Sequence, residues 1–457
     1  MRRFLVFCIV LLAGISTFSF EADFQFTQNF YDSVFPNKIR VGLDHSYNDF
    51  DFTAALYASN DGKYQSSMGD YYKGYYFFLD RGGLIFTPGN LSFSFGRLNH
   101  KDEVDSPYSL FISSNYLPAV IGDIRFEDTV FFYNSRWIRL NVRSSCGYPD
   151  RGANYKTYGL KFSNIRFGFQ DSTVYVGRSF DEEHFLSPIP GFFTQYVNTS
   201  QGKPWSVTGD ENSILGFFMD YRDSLSYYYW QILVDDLNVN RFMFPDRYQN
   251  PDKIAWSLGG NKQTVIGRIG FYHAGSTKYT FEPSGGAAVD TKYGYTYYPD
   301  TVYTADSKER TIEYEDNYIG FKYGENTAAF ILNYTNTFDR FNLYADCEYR
   351  VSGSKSPANP WQEYLTWDQG GQGTHFLDES ILEKAFLSRI KLSTVLYGLK
   401  ISAGCDLGMI FNKLELTDIP PEYYNSAVNK IKYFKPSSNN ESILKFHLSL
   451  EYNLNLL

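Results

Sequence analysis

The segment "ILKFHLSLEYNLNLL" (443–457) sets Phe446, Leu448, Leu450, Tyr452, Leu454 and Leu456 in strict alternation with Lys445, His447, Ser449, Glu451, Asn453 and Asn455. Period two predicts a strand, whose successive side chains point to opposite faces. Globular strands run about 5–6 residues. This one is about twice that length and matches the roughly 9–11 residues a tilted strand needs to cross a bilayer.

The same pattern recurs along the chain. "KIRVGLDHSY" (38–47) and "FDFTAALYAS" (50–59) flank the turn pair Asn48-Asp49, and "SILGFFMDYR" (213–222) and "LSYYYWQILVDD" (225–236) flank Asp223-Ser224. "RWIRLNVRSS", "YKTYGLKFS", "TAAFILNYTN", "RFNLYADCEYRV" and "LKISAGCDLGMIF" continue it, for about 18 segments in all. Tight links alternate with long ones at 60–70, 97–108, 180–212, 237–253, 282–310, 351–380 and 412–440. Short turns at one end and long loops at the other are the plan of an outer-membrane barrel. The predicted fold is therefore all-β, a transmembrane antiparallel β-barrel of about 18 strands. A barrel leaves no strand edge in hydrocarbon, so the last strand is predicted to pair with "KIRVGLDHSY" as the first. Its apolar residues then face lipid and Glu451 faces the lumen. "DESILEKAF" (378–386) reads as a weak helical patch, or no more than a surface turn, inside a long loop.

"MRRFLVFCIVLLAGISTFSFEAD" places Arg2 and Arg3 before an apolar run from Phe4 to Ile15 and then small residues, the plan of a secretory signal peptide ending near Thr17-Phe18-Ser19. Residues 1–19 are read as that signal and 20–457 as a single barrel domain. The segment 20–37 is left as a candidate plug, because "FQFTQNFYDSVF" is aromatic. No later run of 18 apolar residues offers a helical span. The expected location is the outer membrane of a diderm bacterium, with the long loops extracellular. The expected partners are outer-membrane lipid and the barrel-assembly machinery, the latter through the C-terminal strand.

Composition sharpens this picture. Phe, Trp and Tyr make up 19% of the residues, with 40 Tyr and 41 Phe, although hydrophobic content is 43% and mean hydropathy is -0.36. Tyrosine suits a surface apolar on one side and wet on the other, and barrels wear aromatic girdles. A net charge of -9 speaks against a nucleic-acid partner. Cys347 and Cys405 fall on apolar faces, as small hydrophobes of a wall.

No G-x-S-x-G, H-E-x-x-H or C-x-x-C motif is present, and the histidines at 45, 100, 184, 273, 375 and 447 have no metal-ligand spacing. The reading is a non-enzyme with no catalytic residues, cofactor or metal. Sugar sites combine aromatic rings, for the apolar faces of the sugar, with amides and carboxylates for its hydroxyls. Long loops carry such sets: Trp361, Tyr364, Trp367 and Asp368 in "NPWQEYLTWDQGGQGTH", Trp205 in "NTSQGKPWSVTGDEN", and Tyr248 in "FMFPDRYQN". The bland alternative is that these rings glue loops together. Arg136, Arg139, Arg143, Arg166 and Arg178, with Asp220, are candidates for a lumenal charge ladder. Such a ladder is either structural or a constriction that selects anions.

Residues 84–241 resemble the Wzi-type capsule assembly family of outer-membrane proteins. The features that carry the resemblance come in order: "FTPGNLSFSFGR", "SPYSLFISSNYLPAVIGDIRFED", "RWIRLNVRS", the hairpin "YKTYGLKFSNIRFGFQDSTVYVGRSF" before "SPIPGFF", and "ENSILGFFMDYRDSLSYYYWQILVDDL". The resemblance covers about a third of the chain. It implies an eighteen-stranded barrel that binds or anchors capsular or surface polysaccharide. The small helical bundle near the N-terminus of well-known members has no counterpart here, since strand signal begins by Lys38. A second reading stays open, an outer-membrane diffusion channel or a transporter of small solutes or fatty acids.

Overall fold

The computed structural model describes residues 18–29, 35–64, 74–115, 117–198, 204, 211–237, 243–244, 251–282, 294–298, 301–305, 308–356, 373–418 and 432–456. In chain order the strands are β1 (Phe18–Asn29), β2 (Asn37–Tyr47), β3 (Phe50–Ser59), β4 (Tyr76–Phe86), β5 (Leu91–Leu98), β6 (Ala119–Glu127), β7 (Phe131–Asn141) and β8 (Arg151–Phe162). Next come β9 (Ile165–Val176), β10 (Glu211–Arg222), β11 (Ser226–Asp236), β12 (Lys253–Thr264), β13 (Gly267–Ser276), β14 (Val302–Ala305) and β15 (Lys308–Thr311). The last are β16 (Thr327–Phe338), β17 (Phe341–Ser352), β18 (Glu383–Leu396), β19 (Leu399–Phe411), β20 (Leu414–Thr417), β21 (Tyr433–Pro436) and β22 (Glu441–Leu456). Among the described residues, three short helices lie in connections: α1 (Glu182–Leu186), α2 (Gly191–Asn198) and α3 (Tyr314–Asn317).

Eighteen strands close into one antiparallel sheet, β1 to β13 followed by β16, β17, β18, β19 and β22, which returns to β1. The hairpins β14–β15 and β20–β21 stand apart in long connections. The tight turns favour left-handed backbone that matches strand twist, with φ of 51° at Asn48, 52° at Ser163, 52° at Asp339 and 52° at Tyr397. The long connections gather at the other end of the barrel.

Closure differs from expectation. The strand that meets β22 is Phe18–Asn29, in register from Phe18↔Leu456 to Asn29↔Lys445, and its other edge pairs with β2. "KIRVGLDHSY" is the second strand, so the segment offered as a plug supplies wall over residues 20–29. Its own alternation is plain: Phe20, Ala22, Phe24 and Phe26 against Glu21, Asp23, Gln25 and Thr27. The adjacent leader-like run hid it. The helical patch is also corrected, since Glu383 opens β18, where Phe386, Ile390 and Leu392 alternate outward.

Facing follows the alternation. Phe446, Leu448 and Tyr452 are exposed on the outside beside Phe24 and Phe26. Glu451 lies 2.6 Å from Lys400 across the lumenal face of β19 and β22. The side chains of Leu454 and Leu456 lie outside the described residues.

Among the described residues, two long connections contribute most to filling the lumen. The β5–β6 connection (99–118) buries Tyr108, Leu110, Phe111 and Ile112, and the β13–β16 connection (277–326) buries Tyr295, Tyr318, Ile319 and Phe321. They form one core with Tyr155, Ile214, Phe218 and Leu233 of the wall. Each such side chain removed from water stabilises by about 1.5–3 kcal/mol. The two connections touch backbone to backbone: Ser113 N donates to Ile319 O at 2.6 Å. Gly320 is needed there, because a Cβ would stand 2.0 Å from the Leu110 carbonyl oxygen.

Leu450 lies outside between Phe24 and Ile401, and Ser449 lies inside between Gln25 and Ser402. A lipid-facing Arg near the midplane costs about 2–4 kcal/mol, and lumenal changes far less. Leu450→Arg is therefore expected to abolish the heat-modifiable gel shift of the folded barrel, and Ser449→Arg to retain it. Equal behaviour of the two variants would contradict this facing.

Candidate functional site

The in-folded β5–β6 connection is hung on Asp102. Its Oδ1 accepts from Gln170 Nε2 at 2.7 Å, Gln231 Nε2 at 3.1 Å and Tyr155 Oη at 3.3 Å. Its Oδ2 accepts from the backbone N–H groups of Phe111 at 2.9 Å and Ile112 at 3.2 Å. Three strands, β8, β9 and β11, thus hold one loop carboxylate. Burial pushes its pKa up, and these donors oppose the shift. The loop then crosses the lumen. Tyr108 donates to Glu348 of β17 at 2.6 Å, and Tyr323 donates to the same oxygen at 2.9 Å. Arg389 ties that strand through Asp346 at 2.9 Å.

The in-folded connections leave a cavity of about 470 Å³ beside Asp346 and Arg389 and a larger space against β1–β5. A cavity of about 930 Å³ is bounded there by Glu21, Lys38, Arg40, Asp80, Arg81 and Arg97, and on the loop side by Tyr297, Tyr298 and Tyr303. This volume lies in the range of small-molecule sites. Arg40 is fixed between Glu21 and Asp80, each at 2.7 Å. An aromatic cluster stands beside these charges: Tyr57 and Phe78 have ring centroids 5.2 Å apart, and Tyr64 stacks over Phe78 at 6.4 Å with planes 4° apart. Arg97 lies over the Phe78 ring at 4.5 Å. Among the described residues neither Arg97 nor Arg139, which also lines the cavity, has a carboxylate within ion-pair distance. A second cavity of about 420 Å³ shares Asp44, Arg81 and Asn99 with the first and reaches Ser46, Asp51 and Ser94 toward the tight-turn end. Arg81 and Asp44, 3.8 Å apart, stand where the two meet.

The residues singled out in the sequence fall in different places. Trp205, Tyr248, Trp361, Tyr364, Trp367 and Asp368 lie outside the described residues. Arg136 is buried in the lumen against Asp123 at 2.6 Å and the Lys101 carbonyl at 2.8 Å. Arg166 grips Asp220 at 2.5 Å and reaches Glu103. These pairs brace the in-folded loop, whereas Arg139 is exposed. Arg178 is a correction. It lies on the outer side of the wall, over the Tyr175 ring and paired with Asp181 and Glu211, because Tyr175 and Glu211 occupy outward positions of β9 and β10. His184 joins that group, with Nε2 3.1 Å from Glu211 Oε2, which brings Asp181, His184 and Glu211 together. Arg178 pairs with one oxygen of each carboxylate and His184 stands against the second oxygen of Glu211, so the cluster reads as an ion-pair latch. Sequence reasoning missed the cavity aromatics Tyr57, Tyr64 and Phe78, though Tyr57 lies on the polar face of "FDFTAALYAS", an available signal.

No protein-family model and no curated protein matches the chain. Among solved structures, Wzi of Escherichia coli, described as an outer-membrane protein involved in group 1 capsule assembly and a carbohydrate-binding β-barrel, is similar at 10% identity with a TM-score of 0.54, over 98% of this chain and 86% of that one. OccAB2 of Acinetobacter baumannii is similar at 10% identity and TM-score 0.46, over 97% and 98%. The outer-membrane protein OpdK of Pseudomonas aeruginosa is similar at 8% identity and TM-score 0.47, over 96% and 99%. The chain has the fold of an outer-membrane β-barrel.

His100, two residues before Asp102, is buried, with Nε2 3.3 Å from Tyr297 Oη. Burial, and then the Arg136 charge, push its pKa down to about 3. A lowered value means that the docked loop binds fewer protons than the released loop between about pH 3 and 6.5. His100 thus favours docking fully above 6.5, and that stability is lost as pH falls. From pH 7 to 5 the loss is about 2 kcal/mol at roughly 1.4 kcal/mol per unit. Asp102, with its raised value, acts in the opposite direction, so comparison with a His100 variant isolates the histidine. Bilayer conductance is expected to show more frequent openings at pH 5 than at pH 7 in the parent, with a smaller difference in His100→Asn. Equal pH responses would contradict the assignment.

Proposed function

We propose that this barrel binds an extended, anionic surface polysaccharide at its long-loop end, which faces the exterior, and that the cavity of about 930 Å³ is the seat for part of that chain. The observation that carries the reading is the cavity itself: stacked rings and two arginines that, among the described residues, have no carboxylate partner, in the largest of the spaces that the in-folded loops leave in the lumen. Tyr57, Tyr64 and Phe78 offer faces to the C–H surfaces of sugar rings. Arg97 and Arg139 offer charge-assisted donors to uronate-type carboxylates. The fold shared with a carbohydrate-binding barrel, and the ordered features over 84–241, support the same reading and a Wzi-type kinship. The role is binding without catalysis.

One observation favours a second reading, passage of a small solute. The two cavities meet at Asp44, Arg81 and Asn99 and together extend from the loop end toward the tight turns. A panel of acidic and neutral polysaccharides, paired with planar-bilayer conductance, separates the two. Binding to acidic chains with a mostly silent bilayer supports the first reading. Steady conductance with no retained polysaccharide establishes the second. A charge-assisted hydrogen bond contributes about 1.5–3 kcal/mol, so Arg97→Ala is expected to weaken acidic-chain binding roughly tenfold or more and to leave the gel shift unchanged. Unaltered affinity would place the site elsewhere.

A further inference from the structure

The outer face of the wall changes character from one side of the barrel to the other. Along β19 every outward position from Leu399 to Phe411 is apolar: Leu399, Ile401, Ala403, Cys405, Leu407, Met409 and Phe411. Across β7–β10 the outward rows begin in the same way at the tight-turn end. Leu160 faces Phe167, and the row above is Tyr133–Tyr158–Phe169–Phe217. Then the pattern breaks. The next rows are Ser135–Lys156–Asp171–Leu215 and Trp137–Asn154–Thr173–Ser213. With the row Phe162–Ile165–Tyr221 at the turn itself, three tight-turn-side rows are too few to cover an apolar band about 25 Å tall, so a lysine and an aspartate stand at lipid depth, facing outward.

They are not exposed there. Lys156, Asp171, Thr173 and Ser135 are all nearly fully buried, beneath the segment from Ser179 to Val197 that carries α1 and α2. This segment lies against the outside of the wall as a strap. Lys156 Nζ donates to the Ile189 carbonyl at 2.5 Å, Ser135 Oγ to Phe185 O at 2.7 Å, and Trp137 Nε1 to Ser179 O at 2.6 Å. Asp171 accepts from the N–H groups of Gly191 at 2.6 Å and Phe192 at 3.2 Å, at the start of α2. Gly191 is required by the seat, since a Cβ would lie 2.2 Å from Thr173 Oγ1. The latch of Arg178, Asp181, His184 and Glu211 fixes the strap's other end. The opposite face of the strap is apolar and open: Leu186, Ile189, Phe193 and Val197 are each more than half exposed, and Phe192 is also exposed.

We infer that this strap is immersed in the leaflet nearest the long loops, with lipid acyl chains as its partner. Its polar face satisfies outward wall groups that lipid cannot. Its apolar face, continuous with Phe217 and Met219 of the exposed wall, restores the lipid-facing band that β7–β10 interrupt. The apolar belt of this barrel is thus completed by a connection rather than by the wall.

Spin-label accessibility tests the inference. Cys8, Cys146, Cys347 and Cys405 are replaced by serine, and single labels are placed at Phe193→Cys and Leu186→Cys, with Phe217→Cys as the lipid-facing reference and Tyr397→Cys at a tight turn as the aqueous reference. The folded protein is reconstituted in phosphatidylethanolamine–phosphatidylglycerol vesicles. Collision with dissolved oxygen and with a neutral nickel chelate is measured at each site. The strap labels are expected to show the oxygen-to-nickel ratio of Phe217→Cys. A ratio matching Tyr397→Cys overturns the inference in favour of water. Low collision with both probes overturns it in favour of a protein contact, such as a second copy. Where a labelled variant loses the gel shift, Val197→Cys reads the same surface.

Discussion

Asp102 has left water, and donors from β8, β9 and β11 and from two amides of its own loop hold it there. A buried carboxylate without donors is costly, and five groups aimed at one leave their own cost if it departs. The β5–β6 connection is therefore committed to the lumen. Once it is there, Tyr108 can reach Glu348 on the far wall, Phe111 can join the lumenal core, and the β13–β16 connection can close over it through Ile319 and Tyr295. The open space against β1–β5 is what this filling leaves behind.

The same rule, that a polar group cannot remain unpaired in a dry place, operates on both sides of the wall. Inside, Arg136 and Arg166 are charged residues among aromatic rings, and Asp123 and Asp220 meet them at hydrogen-bond distance. Outside, Lys156 and Asp171 receive the backbone of the strap. In each case a long connection returns to the wall. The long loops of this barrel act first as structural partners of the strands, and the candidate site occupies the region they do not cover.

Most of the wall was legible because a strand with lipid on one side and a lumen on the other must alternate, as β19 and β22 do. Where alternation coincided with another strong signal, it was misread. The residues of β1 continue a leader-like apolar run, and the first turn of β18 carries Glu383 and Lys384 among good helix formers. The in-folded connections were legible only as long loops. Nothing in "HKDEVDSPYSLFISSN" marks Asp102 as buried, because its side-chain donors come from residues 155, 170 and 231, brought together by closure of the sheet. Arg178 was misplaced for a related reason: a residue just past a strand end carries no facing, and the strap took it outside. The cavity aromatics were visible as Tyr57 on a polar face, yet tyrosine is so common here that composition concealed it.

Hydrogen exchange at the Phe111 and Ile112 amides tests the central claim most directly, since both N–H groups are spent on the Asp102 carboxylate. If Asp102 hangs the loop in the lumen, these amides exchange as slowly as those of the neighbouring strand β9, and Asp102→Asn speeds them without unfolding the wall. Exchange of both amides at the rate of an exposed loop, with β9 protected, would contradict the account.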